Sequence, residues 1–413
     1  MDKETYFISA IQNAIKPSTG CTEPVAIALC GAMARREAVG EIQHVEVVMD
    51  IGLFKNAIGV GIPGLTGRGI PLCCALGIVD GNPDNGMDIL GKIKCHHLEE
   101  IQRIAGLVTP VVREDMPDLF IQTTITTDQD CVRAITYKSH DNIQSVQHAP
   151  FVESQKSGEV VETVPEIQQY TLSDMLNFAS GVPREKIQFL WTGVEMNRKV
   201  SQAGEKLGYL AGIAELNDGS LLTTVQRRVG AASYARMSGI NLPTMTATGS
   251  GNQGITLFLT VDALCQYKKI EQEQELRALA LANLVNLYAK SYTGSLAPVC
   301  ACGVASGLGA SVGIVYALGG GEREMLGAMK NILGGVTGML CDGAKEGCAN
   351  KTALAASCSV TSALAAMGGQ TLSEKNGILA PCMQGLFQHL QYLLKQGMAG
   401  TNRAMVDIML EST

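Results

Sequence analysis

The chain has 413 residues and a formal net charge of −7, with 32 Lys and Arg against 39 Asp and Glu. The basic residues are scattered and form no patch for a phosphate backbone, which argues against nucleic acid as a partner. A hydrophobic share of 46% is ample for a core, so the chain is read as globular: two or three domains, or one large domain with an insertion.

The opening residues, MDKETYFISAIQ, carry acidic groups where an export signal would carry positive charge and then a long apolar run, so a cytoplasmic location is expected. Helices are predicted over residues 5–15 and 24–39, the second opening at Pro24, where a missing N–H costs nothing. The link between them, KPSTGCTE, sets Cys21 just before a helix N-terminus. Backbone N–H groups and the helix dipole favour an anion there, which predicts an exposed, reactive thiol of lowered pKa. The alternative is a plain capping loop, with Thr22 as the cap and Glu23 complementing the dipole.

From residue 41 the texture changes. IQHVEVVMDIG, LFIQTTITTD and CVRAITYKSHDNIQSVQ alternate and are rich in β-branched residues, predicting strands. Between the first and second, glycine-rich loops and short helices are expected, and Lys55 and Asn56 interrupt the apolar run GLFKNAIGVGIPG. They are read either as ligand contacts or as a solvated sheet edge. Charge, Ser and Gln rise at ESQKSGEVVETVPE, where the chain is divided. Helical patterns dominate afterwards, in TLSDMLNFASGV and EQEQELRALALANLVNLYAKSY. The expected fold is α+β: a mainly helical domain from residues 1–40 and 166–413, with a smaller α+β lobe, 41–165, inserted.

The loop in TMTATGSGNQGITLFLTV gathers Ser250, Asn252 and Gln253 without charge, suited to binding a carboxylate through backbone N–H groups and amides. It lacks the full G-x-G-x-x-G of a dinucleotide site. The uncharged stretch 295–321 is long enough to cross a membrane, but its Gly, Ala and Ser content predicts a buried helix instead.

Thirteen cysteines without an export signal argue against a disulfide framework. Cys30, Cys73, Cys74, Cys95, Cys131, Cys265, Cys358 and Cys382 are expected in the core. Cys300 and Cys302 open the apolar stretch, and Cys341 and Cys348 flank the turn DGAKEG. A loop-held pair plus a cysteine at a helix start can build a three-thiolate site for zinc or iron–sulfur; buried thiols are the alternative.

Five motifs in order, KPSTGCTEPVAIAL, FKNAIGVGIPG, GSGNQGIT, LAPVC and GMLCDGAKEGCANK, resemble the L-cysteine desulfidase family, a relative of the α chain of iron–sulfur L-serine dehydratases. The resemblance implies a 4Fe-4S cluster on Cys300, Cys341 and Cys348, with Cys302 the alternative to Cys300, and one iron open to substrate. It also implies β-elimination of L-cysteine to pyruvate, ammonia and hydrogen sulfide without pyridoxal phosphate. In that chemistry Cys21 is expected as the base, with Lys351 the alternative. Glu23, Lys55, Asn56, Ser250, Asn252 and Gln253 are expected to contact the substrate. The expected partners are L-cysteine and, in a homodimer, a second copy of the chain; no membrane is expected. An iron–sulfur L-serine dehydratase and a non-catalytic thiol or metal sensor are the competing functions.

Overall fold

A computed structural model describes residues 2–62, 67–93, 96–152, 164–294, 296–375 and 377–411. Cys95 and most of the expected boundary segment, 153–163, lie outside the described residues. The architecture is α+β and mainly helical.

Helix α1 (Lys3–Ala14) is capped by Asp2, which accepts from Thr5 N–H at 2.9 Å, and buries Phe7 and Ile11 against the helical body. Helix α2 (Thr22–Glu37) puts Glu23 in its first turn and Arg35 and Arg36 in its last, matching the helix dipole. Nearly every residue of its first three turns is buried. They pack on a five-stranded sheet, so α2 belongs to the core of the inserted lobe and not, as its position in the chain suggested, to the helical domain. The Ala and Gly along its sequence let it lie close to the sheet and to helix α4 (Ile70–Asp80).

Seven strands are described: β1 (Pro17–Ser18), β2 (Ile42–Asp50), β3 (Val108–Arg113), β4 (Ile121–Thr127), β5 (Cys131–Thr136), β6 (Ile143–His148) and β7 (Thr244–Met245). The large sheet has the order β3-β2-β4-β5-β6, with β2 and β3 parallel and the other pairs antiparallel. The parallel pair requires a crossover, which α4 and the helix Leu98–Ala105 supply. Strand β3 was not legible, since Pro110 interrupts it; its place at the sheet edge tolerates the missing donor. Lys55 and Asn56 lie not on a solvated sheet edge but on a helix, α3 (Ile51–Ala57), which forms because Asp50 caps it: one carboxylate oxygen accepts from Gly52 and Leu53 N–H at 2.9 and 3.0 Å.

The helical body is built from Leu172–Gly181, Leu190–Lys206, Leu221–Met237, Gly251–Lys268, Gln272–Thr293, Ala305–Ala317, Glu322–Val336 and Cys348–Met367. The first has a capping box between Thr171 and Asp174. Ala305–Ala317, from the uncharged stretch, is buried along its whole length, as its small residues predict. Among the described residues no helix is long and apolar enough to cross a membrane. The C-terminal helix Thr401–Glu411 returns to the lobe, where Val406 joins its core. Cys30, Cys73, Cys74 and Cys265 are buried as expected, whereas Cys131 and Cys358 are half-buried and Cys382 is exposed, at the N-cap of a short helix.

Candidate active site

Two short ladders bring the motifs together. β1 and β7 pair antiparallel, Pro17 opposite Met245, and Thr246 N–H donates to the Lys16 carbonyl at 2.9 Å. This sets the loop carrying Cys21 beside the one carrying Ser250. A single bridge, Val299 to Leu340, does the same for the cysteines: Cys300 N–H donates to Met339 O and Cys341 N–H to Pro298 O, both at 2.7 Å.

The result is one small cavity between the lobe and the helical body. Cys21, Glu23, Asn56, Ser250, Asn252, Gln253, Cys300, Cys302, Cys341, Cys348 and Lys351 all line it. Of the expected site residues, Lys55 alone does not. It is fully buried behind the cavity wall, donating to Asn402 Oδ1 at 2.9 Å and facing a second cavity under the C-terminal helix. GSGNQG is a helix start, not a loop: Ser250 is the N-cap, and Asn252 and Gln253 sit in the first turn of Gly251–Lys268.

Glu23 is fixed on two sides, accepting from Asn56 Nδ2 at 3.0 Å and from Thr22 Oγ1 at 3.1 Å. Burial pushes its pKa up, but the nearby His140 charge and these hydrogen bonds outweigh it, and Glu23 stays below the usual carboxylate range. Cys21 behaves opposite to expectation. It is 4% exposed, not free in a loop, and burial pushes its pKa up to about 11 although the Arg236 guanidinium pulls the other way. Desolvation of the thiolate exceeds what the helix N-terminus offers. Lys351 donates to Leu340 O at 2.9 Å and pairs with Asp342. Burial lowers its pKa, but the Asp342 contact more than compensates, so Lys351 is a firmly protonated cation.

Among the cysteines, Cys300 accepts a hydrogen bond from the Cys302 thiol and also from Gly303 N–H, which lowers its pKa despite burial and raises that of Cys302. The fold therefore favours Cys300 as the thiolate of the pair. Cys341 and Cys348 are raised by burial, with Lys55 and Lys351 among the cations facing them. Among the described residues no His, Cys, Asp and Glu group could hold a single metal ion. A multi-iron cluster distributes its thiolates over separate irons, and cysteines from two chain segments on one cavity wall, with lysines to balance thiolate charge, suit such a group.

Three residues escaped the sequence reading. Arg236, on Leu221–Met237, lines the cavity. His140, between β5 and β6, lies within electrostatic reach of Glu23, with its Nε2 buried and without a hydrogen-bond partner. Lys290 stands near Cys302, and burial lowers its pKa to about 8. No local motif marks any of them, and all three lie outside the five motifs.

Residues 115–407 match the serine dehydratase alpha chain family. Over their whole lengths, relatives include a UPF0597 protein of Clostridium tetani, 33% identical with 100% of this chain and 99% of that one covered. Another, from Desulfatibacillum aliphaticivorans, is 33% identical with 96% of each covered, and one from Porphyromonas gingivalis is 33% identical with 99% of each covered. The five motifs, the shared cavity and the full-length likeness agree: the chain belongs to the serine dehydratase alpha chain family.

Proposed function

We propose that the protein is an L-cysteine desulfidase that eliminates hydrogen sulfide from L-cysteine, leaving pyruvate and ammonia, with a 4Fe-4S cluster as its cofactor. The observation that carries the reading is the convergence of Cys300, Cys302, Cys341 and Cys348 with Glu23, Asn56, Ser250, Asn252 and Gln253 on one cavity. Cys300, Cys341 and Cys348 would hold the cluster, Cys300 being preferred over Cys302 because its thiolate is the better stabilised. When bound, such a cluster supplies a Lewis acid that makes the substrate sulfur a better leaving group.

The chain's own groups do the rest. Glu23, ionised and held by Asn56, accepts hydrogen bonds from the substrate ammonium. Ser250, Asn252 and Gln253 present hydroxyl, amide and first-turn N–H groups to the rest of the amino acid. Lys351, a fixed cation, suits charge balance and not proton abstraction. Cys21 is proposed to take the Cα proton, and because burial keeps its thiol protonated, turnover is expected to rise with pH across the neutral range. In Cys21→Ala that rise disappears together with most of the turnover; full turnover with the cluster intact would remove the role.

Anaerobic purification with iron and labile-sulfide analysis, followed by L-cysteine in the same tube, tests the whole reading. About four irons per chain, with sulfide and pyruvate released together, is the expected result. Pyruvate from L-serine with little sulfide from L-cysteine would instead favour the dehydratase. Zinc, or a cluster inert to both amino acids, would favour the sensor.

A further inference from the structure

We propose that Arg236 binds the α-carboxylate of the substrate and, with Glu23 for the ammonium, restricts the cavity to amino-acid zwitterions. This rests on the amino-acid lyase reading above. Arg236 is 6% exposed, so its guanidinium is almost entirely removed from water. A buried guanidinium is ordinarily matched by a carboxylate. Among the described residues it has none: Nη2 donates to the Gly20 carbonyl at 2.7 Å and Nη1 to Asn252 Oδ1 at 3.2 Å, the guanidinium also reaches the Cys21 thiol, and its Nε is buried without a partner. The one anionic candidate at its side, Cys21, holds its proton.

Its surroundings are those of an anion site. Gly20 and Asn252 tie the guanidinium to the loop before α2 and to the first turn of the 18-residue helix Gly251–Lys268, at whose N-terminus it stands. First-turn N–H groups and a guanidinium together form a strong carboxylate receptor. Gly251 is part of the arrangement: a Cβ there would stand 2.3 Å from Arg236 Nε, so any side chain would displace the guanidinium. Arg236 and Glu23 both line the cavity and carry opposite charges, the pattern an amino-acid zwitterion needs.

A guanidinium held without its anion costs stability in the free protein, and this separates a binding role from a structural one. The test uses anaerobically purified holoprotein and follows its melting temperature with L-alanine, a non-reacting amino acid, and with L-alaninol, which lacks the carboxylate. L-Alanine is expected to stabilise the wild type and L-alaninol not. Arg236→Gln is expected to melt no lower than the wild type, to keep its iron, and to lose the response to L-alanine. Its KM for L-cysteine is expected to rise about 100-fold with a smaller fall in kcat, and Arg236→Lys to lie between. Three results would each overturn the assignment: no response of the wild type to L-alanine, an equal response to L-alaninol, or an Arg236→Gln variant that melts lower yet still responds. If the wild type releases no sulfide but its response to L-alanine needs both the carboxylate and Arg236, the desulfidase reading falls and the carboxylate site stands.

Discussion

Gly343 offers the sharpest test of how the site is assembled. It lies between Cys341 and Cys348 with φ +92°, a backbone conformation that disfavours side chains, and it presses on the carbonyl of Lys55 in α3. In Gly343→Ala the new Cβ would stand 2.4 Å from that oxygen, where ordinary contact begins at 3.4 Å, so loop and helix must part by about 1.0 Å (3.4 − 2.4). Backbone strain of ~1–2 kcal/mol adds to an overpacking cost of ~1–3 kcal/mol, giving about 2–4 kcal/mol once the loop relaxes. The hydrogen bond from Ala344 N–H to Asn56 O, 3.4 Å long, would be the first to break. A shift near 1 Å at Cys341 and Cys348, the proposed cluster ligands, is enough to cost about 100-fold in turnover. Urea denaturation, iron content after anaerobic reconstitution, and sulfide release are the three readouts. Gly338→Ala is the control, since a Cβ there has nothing within 4 Å. If Gly343→Ala matched Gly338→Ala in midpoint, iron and rate, the docking of this loop on α3 would not be what sets the ligands.

Other perturbations test neighbouring parts of the argument. Asp50→Ala removes the acceptor of three N–H groups, Gly52, Leu53 and Phe120, and is expected to cost ~2–4 kcal/mol in urea denaturation and to raise KM through Asn56, which α3 carries. Asp342→Asn breaks the ion pairs to Lys345 and Lys351; both are partly exposed, so the stability loss should be only about 1 kcal/mol, with faster iron loss on gel filtration as the more sensitive readout. Glu275 is 3% exposed, and burial, then the adjacent Asp262, raises its pKa from the ordinary 4.5 to about 8. The folded chain thus holds a proton that the unfolded chain releases, so stability is full below about pH 4.5 and falls by up to ~1.4 kcal/mol per unit until about pH 8. Glu275→Gln keeps a donor for Asp262 and should flatten that slope; equal slopes in the two proteins would refute the assignment.

What could be read from the sequence depended on how local each signal was. Strand β4 alternates strictly and turns one side to the core, and β5 and β6 follow it as β-branched segments, so their pattern named them. Residues 51–57 were harder: the helix signal is a single Asp at the position before it, inside a run whose β-branched residues argue for strand. For α2 the reading found the helix but not its neighbours. It is apolar all round, and a helix without a polar face does not declare which side meets the sheet and which the cavity. The cysteine motifs pointed to the family, while the bridge Val299–Leu340 that aligns them joins residues 41 apart and leaves no periodic trace.

The error at Cys21 and the omission of Arg236 have one cause. A loop of Pro, Ser, Thr and Gly before a helix looks exposed, and at an exposed N-terminus the dipole would lower a thiol's pKa. Here β1 pairs with β7 and closes the loop over the helix Leu221–Met237, which brings Arg236 within hydrogen-bond reach of Gly20 and takes water away from Cys21. Burial penalises the thiolate more than the neighbouring cation supports it, so the charge that the sequence reading placed on sulfur stands on Arg236 instead. Seen this way, Gly20 and Gly251 are not only turn residues: the first offers its carbonyl to the guanidinium, and the second leaves it room. One of the cavity's positive charges is thus a product of tertiary closure, and the residue that carries it lies in RRVGAASYARMSG, where nothing in the local pattern distinguishes one arginine from another.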